Sequence, residues 1–257
     1  GVTGNTLVDT YQSHQQVSFE VWKRQLAVAH PASDLKIRVV QNGRTDNIAT
    51  GAQPSAILSD RIVYENCRDL IFPAGNEYRR FEFLTHRYNG MRIDRIAYYN
   101  PYYHADVFID EPSLMAPYTY DEDQDGRYFP ACSRCEEPDT EADYYIVHFT
   151  LAMPEAKGGK VYLNGDFVQN GFGEGSEMDY NPEAGQYEKA LLLKQGNYNY
   201  QYIYLPDGQE EGVTAAIEGD FHQTENEYTI YVYYRPIGAR FDRLVGVRTV
   251  RAGQEAR

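Results

Sequence analysis

The chain has 257 residues, 42% of them hydrophobic and 24% charged, which is enough apolar material for a real core and rules out a disordered chain. Its 24 basic residues stand against 38 acidic ones, a net charge of −14, and such a field repels phosphate backbones and excludes general nucleic-acid binding. No apolar run approaches the ~18 residues of a transmembrane segment, and the length suits one large domain or two of ordinary size.

Gly1 stands where a Met would begin a gene product and runs directly into ordinary sequence, which suggests a trimmed start whose native N-terminus lies outside the chain. The aromatic count is more pointed: 24 Tyr, 11 Phe and one Trp, with 21 Gly and 12 Pro. Tyr favours half-buried pleated surfaces, and no apolar stripe of helical period lasts three turns, so the chain reads as all-β with helix below about 10%.

In chain order, Val17, Phe19 and Val21 alternate with polar residues, and Leu35, Ile37 and Val39 alternate with charged ones. Arg61–Tyr64, Arg80–Leu84, Ile93–Tyr99 and Ala105–Ile109 continue the period of two, with Gly and Pro between them. From Tyr118 to Ala142 come eight acidic residues and two Arg, whereas residues 1–117 are nearly neutral. That shift reads as an acidic linker or long surface loop, 118–142, between a β-sandwich at 1–117 and a second at 143–257.

The second half holds strands at Tyr145–Leu151, Lys160–Leu163, Tyr187–Leu193, Tyr198–Leu205, Glu227–Tyr234 and Leu244–Val250. His148 should face away from Val147 and Phe149. Tyr198, Tyr200, Tyr202 and Tyr204 share one strand face, opposite Asn199 and Gln201. That face is either core, with the Tyr200 and Tyr202 rings the more buried, or a platform on which a sugar or peptide stacks. Two antiparallel immunoglobulin-like sandwiches are therefore expected, and one continuous sheet crossing 118–142 would overturn that division and the family resemblance given below with it.

Motifs for chemistry are sparse. Asp121, Asp123 and Asp125, followed by Gly126, match the opening of a calcium loop, but the twelfth position is Cys132 instead of a bidentate Glu, so a solvated acidic turn is the plainer reading. Cys132 and Cys135 form one C-x-x-C without the second pair or the nearby His that structural zinc requires, which leaves a local disulfide or two thiols. No G-x-S-x-G elbow occurs, and Gly171–Gly175 lacks the helix and Lys-Ser/Thr of a phosphate loop. The expectation is a non-enzyme with no cofactor and no metal.

Two resemblances sharpen this. Val161-Tyr-Leu-Asn-Gly-Asp-Phe167, Tyr187, Lys194-Gln-Gly-Asn-Tyr-Asn-Tyr200, Asp207-Gly208 and Asn226 resemble the early-set, glycogen-binding type of β-sandwich. It implies a glycan as an alternative partner, with Tyr200, Tyr202 and Asn226 as candidate binding residues. The positions of that family's sugar-contacting Trp, Lys and Trp hold Asn170, Gln201 and Glu210, and neither Asn nor Glu offers a ring to a pyranose.

Along nearly the whole chain, Val40–Asn47, Ile71–Phe81, Asp143–Phe149, Leu193–Tyr202, Ile217–Asp220, Thr224–Tyr228 and Arg240–Gly246 resemble the Bacteroidota family named for the plug protein of the type IX secretion system. The resemblance implies a periplasmic, exported, non-enzymatic protein whose partner is an outer-membrane translocon β-barrel.

Overall fold

In a computed structural model, residues 1–4, 12–24, 26–114 and 116–252 are described. Among the described residues, strand accounts for 44% and helix for 6%, as the period-two patterning requires. The strands fall into two compact units, Gly1–Asn76 with Asp220–Arg257, and Glu77–Gly219.

Unit 1 opens with β1 (Val2–Gly4), β2 (His14–Val17), β3 (Phe19–Trp22), β4 (Leu35–Gln41), β5 (Ile48–Thr50), β6 (Ala56–Ile57), β7 (Arg61–Tyr64) and β8 (Ile71–Pro73). Unit 2 holds β9 (Arg79–Phe83), β10 (Ile93–Tyr99), β11 (Tyr102–Val107), β12 (Tyr128–Pro130), β13 (Tyr144–Leu151), β14 (Gly159–Asn164), β15 (Asp179–Asn181), β16 (Gln186–Lys194) and β17 (Gly196–Pro206). The chain then returns to unit 1 through β18 (Glu227–Tyr234) and β19 (Arg243–Arg251). The only α-helices among the described residues, Pro31–Asp34 and Pro138–Glu141, are single turns that begin at a proline.

In unit 1 the sheet runs β19-β18-β4-β5, beside β1-β2-β8 and β3-β7-β6. Ile37, Val39, Ile62, Tyr64, Phe72, Tyr228 and Ile230 fill its core. The two passages of chain that make up this unit are fastened where they meet. The Gly75 N–H donates to the Asp220 carboxylate at 2.8 Å, and the Phe221 N–H donates to the Gly75 carbonyl at 2.8 Å.

Unit 2 is a sandwich. One sheet is β10-β11-β13-β16-β15; the other is built on β17, whose first half pairs with β9 and β12 and whose second half pairs with β14. Tyr145, Val147, Phe149 and Leu151 of β13 point inward onto Phe81, Phe83, Tyr198, Tyr200 and Tyr202. Phe81 stacks on Tyr198 at 5.1 Å between centroids and meets Phe149 edge-on at 5.4 Å. Each such ring contributes about 2 kcal/mol by burial, so these strands take the face that their alternation dictates.

The expected division fails. β11 and β13 are parallel neighbours in one sheet, Ala105 opposite Val147, so a sheet does cross 118–142. β4 likewise pairs with β18, Val39 opposite Ile230, and β9 pairs with β17. Alternation shows that a strand has a buried face but not which distant strand covers its edge, so 1–117 and 143–257 are not the units.

Nor is 118–142 a linker. Its middle lies on β17 as a strap: the Gln124 N–H donates to Asn199 Oδ1 at 2.5 Å, the Asn199 N–H to the Arg127 carbonyl at 3.0 Å, and β12 pairs with residues 196–198. Gly126, at φ +84°, is required there, since a Cβ would lie 2.8 Å from the Tyr78 ring. Beneath the strap Asn199 and Gln201 do face away from Tyr200 and Tyr202, yet they are buried too.

Candidate functional site

The candidate binding residues named from sequence are structural. Tyr200 and Tyr202 are wholly buried, so the stripe is core and offers no platform to a sugar. Their hydroxyls donate to Asp110 Oδ2 at 2.7 and 2.8 Å. Burial, and then the Asp110 charge, hold the Tyr200 phenol well above its ordinary pKa, so it remains a donor. Arg79 completes the network, giving Nη1 to Asp110 Oδ1 at 2.9 Å and its fork to Glu218 at 2.9–3.1 Å; Arg92 reaches Asp110 at 2.7 Å.

Asn226 is buried in unit 1, donating to Gln15 Oε1 at 3.0 Å and the Ala74 carbonyl at 2.7 Å and accepting from Asn42 at 2.7 Å. Such an amide orders a core.

The three aspartates do not converge on a common point. Asp121 pairs with Arg80 at 2.5 Å, Asp123 accepts the Tyr78 and Asp125 N–H groups, and Asp125 faces Arg127 at 3.8 Å. Burial pushes the Asp123 carboxyl up to about 6, despite those two backbone donors. Among the described residues no group of three or more His, Cys, Asp or Glu could hold a metal ion. Cys132 and Cys135 are joined as a disulfide, and Cys67 is a free thiol.

What the sequence reading missed is the outer face of the five-stranded sheet. Because β13 turns Val147 and Phe149 inward, Tyr144, Ile146, His148 and Thr150 turn outward, and the cross-strand register lines up rows on the exposed side. Tyr99 and Tyr102 form the end of the face, with Tyr144 and Lys194 beside them and Lys194 Nζ 5.3 Å from the Tyr144 ring. Ala97, His104, Ile146 and Leu192 make the next row. Tyr99, Tyr144 and Leu192 are each at least half exposed, at 55%, 50% and 50%.

The third row is polar: Arg95, Asp106, His148 and Ala190. His104 Nδ1 and His148 Nε2 lie 2.8 Å apart with the rings stacked, one nitrogen donating to the other. Arg95 holds Asp106 at 2.7 Å. Burial is the first cause lowering the His148 pKa, Asp106 opposes it, and His104 adds to it. Beyond it opens a shallow cleft of about 430 Å³, lined by Asp106, His148, Thr150, Asp179, Glu188 and Lys189. The face is thus an exposed, half-aromatic surface bordered by charge. The signal for it was in the sequence, in the outward residues of β10, β13 and β16, but it becomes visible only once those strands are known to be neighbours.

The fold is that of an all-β protein, and this sheet face is exposed. The chain matches no family model and no curated protein. It is similar to the crystal structure of a hypothetical protein from Parabacteroides merdae, at 56% identity and a TM-score of 0.95, over 98% of this chain and 63% of that one. The chain therefore spans less than two thirds of that protein's length.

Proposed function

We propose that the chain is a non-enzymatic protein-binding β protein of the periplasm, acting as the plug-family resemblance implies on an outer-membrane β-barrel translocon. The sheet that crosses 118–142 overturns the two-sandwich division and counts against the family resemblance as well, so the reading rests on the outer face of unit 2. A flat surface of Tyr99, Tyr102, Tyr144, Ile146 and Leu192 with a charged border suits a protein partner, whose apolar side chains would cover those rings. The glycan alternative loses its stacking stripe to the core and has no ring at Asn170 or Glu210.

A photo-crosslinking amino acid at Tyr144 or Leu192 of the full-length protein, irradiated in cell envelopes, should trap a large β-barrel protein. Trapping of none, together with calorimetric binding of an α-glucan, would replace this reading with the glycan one.

A further inference from the structure

The edge of the unit 1 sheet has a chemistry of its own, independent of the face just described. β19 pairs with β18 on one side and with no other strand among the described residues. It is nine residues long, and it follows a loop in which Ile237 and Phe241 are 86% and 74% exposed. Long, bare edges are what folded proteins ordinarily shorten, cover or charge, and β19 carries Arg243, Arg248 and Arg251 among its apolar residues.

The backbone direction follows from the ladder. The Asn42 N–H donates to the Glu227 carbonyl, so Glu227 addresses β4, and the Ala252 N–H donates to the Asn226 carbonyl, so Asn226 addresses β19. Alternation then sends Tyr228 and Ile230 toward β19, to meet Val250 and Arg248. The N–H and C=O groups of Val247 and Thr249 therefore point outward, ready for a further strand.

The side chains sort by face. Leu244, Val247 and Thr249 lie with Tyr233, Tyr231 and Thr229 on one side, while Arg243 and Arg248 lie with Tyr234 and Ile230 on the other. Arg243 sits 5.7 Å from the Tyr234 ring. In a chain of net charge −14, the stretch from Arg235 to Arg251 holds five arginines and one aspartate, and that Asp242 is bridged to Lys36 at 2.9 Å.

We propose that β19 is a strand-addition site for an extended partner segment in which carboxylates alternate with aliphatic residues. The segment's backbone pairs with Val247 and Thr249, its carboxylates lie beside Arg243 and Arg248, and its aliphatic side chains lie beside Leu244 and Val247. A second copy of this chain is the poorer occupant, because two β19 edges joined about a two-fold axis set arginine against arginine.

The test uses the whole chain and three labelled eight-residue peptides, followed by fluorescence anisotropy: alternating Glu-Val, alternating Lys-Val, and a block peptide of four Glu then four Val. The alternating Glu-Val peptide should bind saturably, at least tenfold tighter than either control, and weaken several-fold as salt rises from low to physiological. Val247→Pro removes an outward N–H while keeping the bonds to β18, so it should cut affinity at least tenfold with the melting temperature held within about 3 °C. R243E/R248E should reverse the preference toward the Lys-Val peptide. Equal binding of all three peptides, or undiminished binding by Val247→Pro, would overturn the proposal. So would sedimentation showing a dimer of the chain that Val247→Pro dissolves.

Discussion

Replacing Asp110 by Ala tests whether the buried network in unit 2 is understood. Asp110 is 1% exposed and accepts from Tyr200, Tyr202, Arg79 and Arg92. Alanine leaves two buried hydroxyls without an acceptor, each costing ~1–3 kcal/mol. Loss of a buried ion-pair partner costs ~3–5 kcal/mol, reduced here because Arg79 keeps its fork on Glu218. The sum is about 5 kcal/mol, and at ~3 °C per kcal/mol for a unit of this size the melting temperature should fall by about 15 °C. Calorimetry on the purified chain reads it directly.

The sharper measurement is the cycle with Y200F/Y202F. In the native background those substitutions remove satisfied hydroxyls and should cost about 2 kcal/mol together. In the Asp110→Ala background they remove orphaned ones and should restore about 2 kcal/mol, so the sign reverses. A fall of less than 4 °C for Asp110→Ala, or Phe substitutions that act additively, would refute the account of the network.

Asp123 should make stability depend on pH. Its folded pKa of about 6 stands above the ordinary 3.8, so the folded state binds the proton more tightly, and the penalty of the buried charge is complete above pH 6. As pH falls from 7 to 4 the native chain should gain up to about 3 kcal/mol relative to Asp123→Asn, read as the difference between their denaturation midpoints; parallel midpoints across that window would exclude it. Asn226→Ala removes three buried hydrogen bonds in unit 1 and should cost about 3 kcal/mol by chemical denaturation, whereas a surface residue would cost almost nothing. At Gly196 a Cβ would lie 2.2 Å from the Phe129 carbonyl oxygen, so Gly196→Ala should strip β12 from β17 and speed amide exchange at residues 128–130, where an unchanged rate would show that the strap can shift.

Several strands were legible because runs of β-branched and aromatic residues stand between turn residues. Arg61–Tyr64, Ile93–Tyr99 and Glu227–Tyr234 are strands over those very residues, and His148 does face away from Val147 and Phe149. Polar strands were not legible: β2 reads His-Gln-Gln-Val, and its buried residues include Gln15, whose amide satisfies Thr224 and Asn226, an arrangement no alternation rule anticipates. The acidic stretch misled for a related reason. Composition reports how much charge a segment carries, but the strap is held by backbone donors and by Asn199, and composition is blind to these. The outer face of unit 2 was hidden because Tyr99, Tyr144 and Leu192 are separated in sequence and become neighbours only through pairing.

The fastening at Gly75 and Asp220 has a consequence for how the chain is made. Unit 2 is complete once residue 219 has been synthesised, while β4 still lacks its central neighbour β18. Unit 2 can therefore condense first during synthesis, and unit 1 closes only when the last strands arrive. Until then the edge of β4 that carries Ile37 and Val39 has no strand beside it. The order in which the two units mature is thus dictated by connectivity, whatever their relative stabilities.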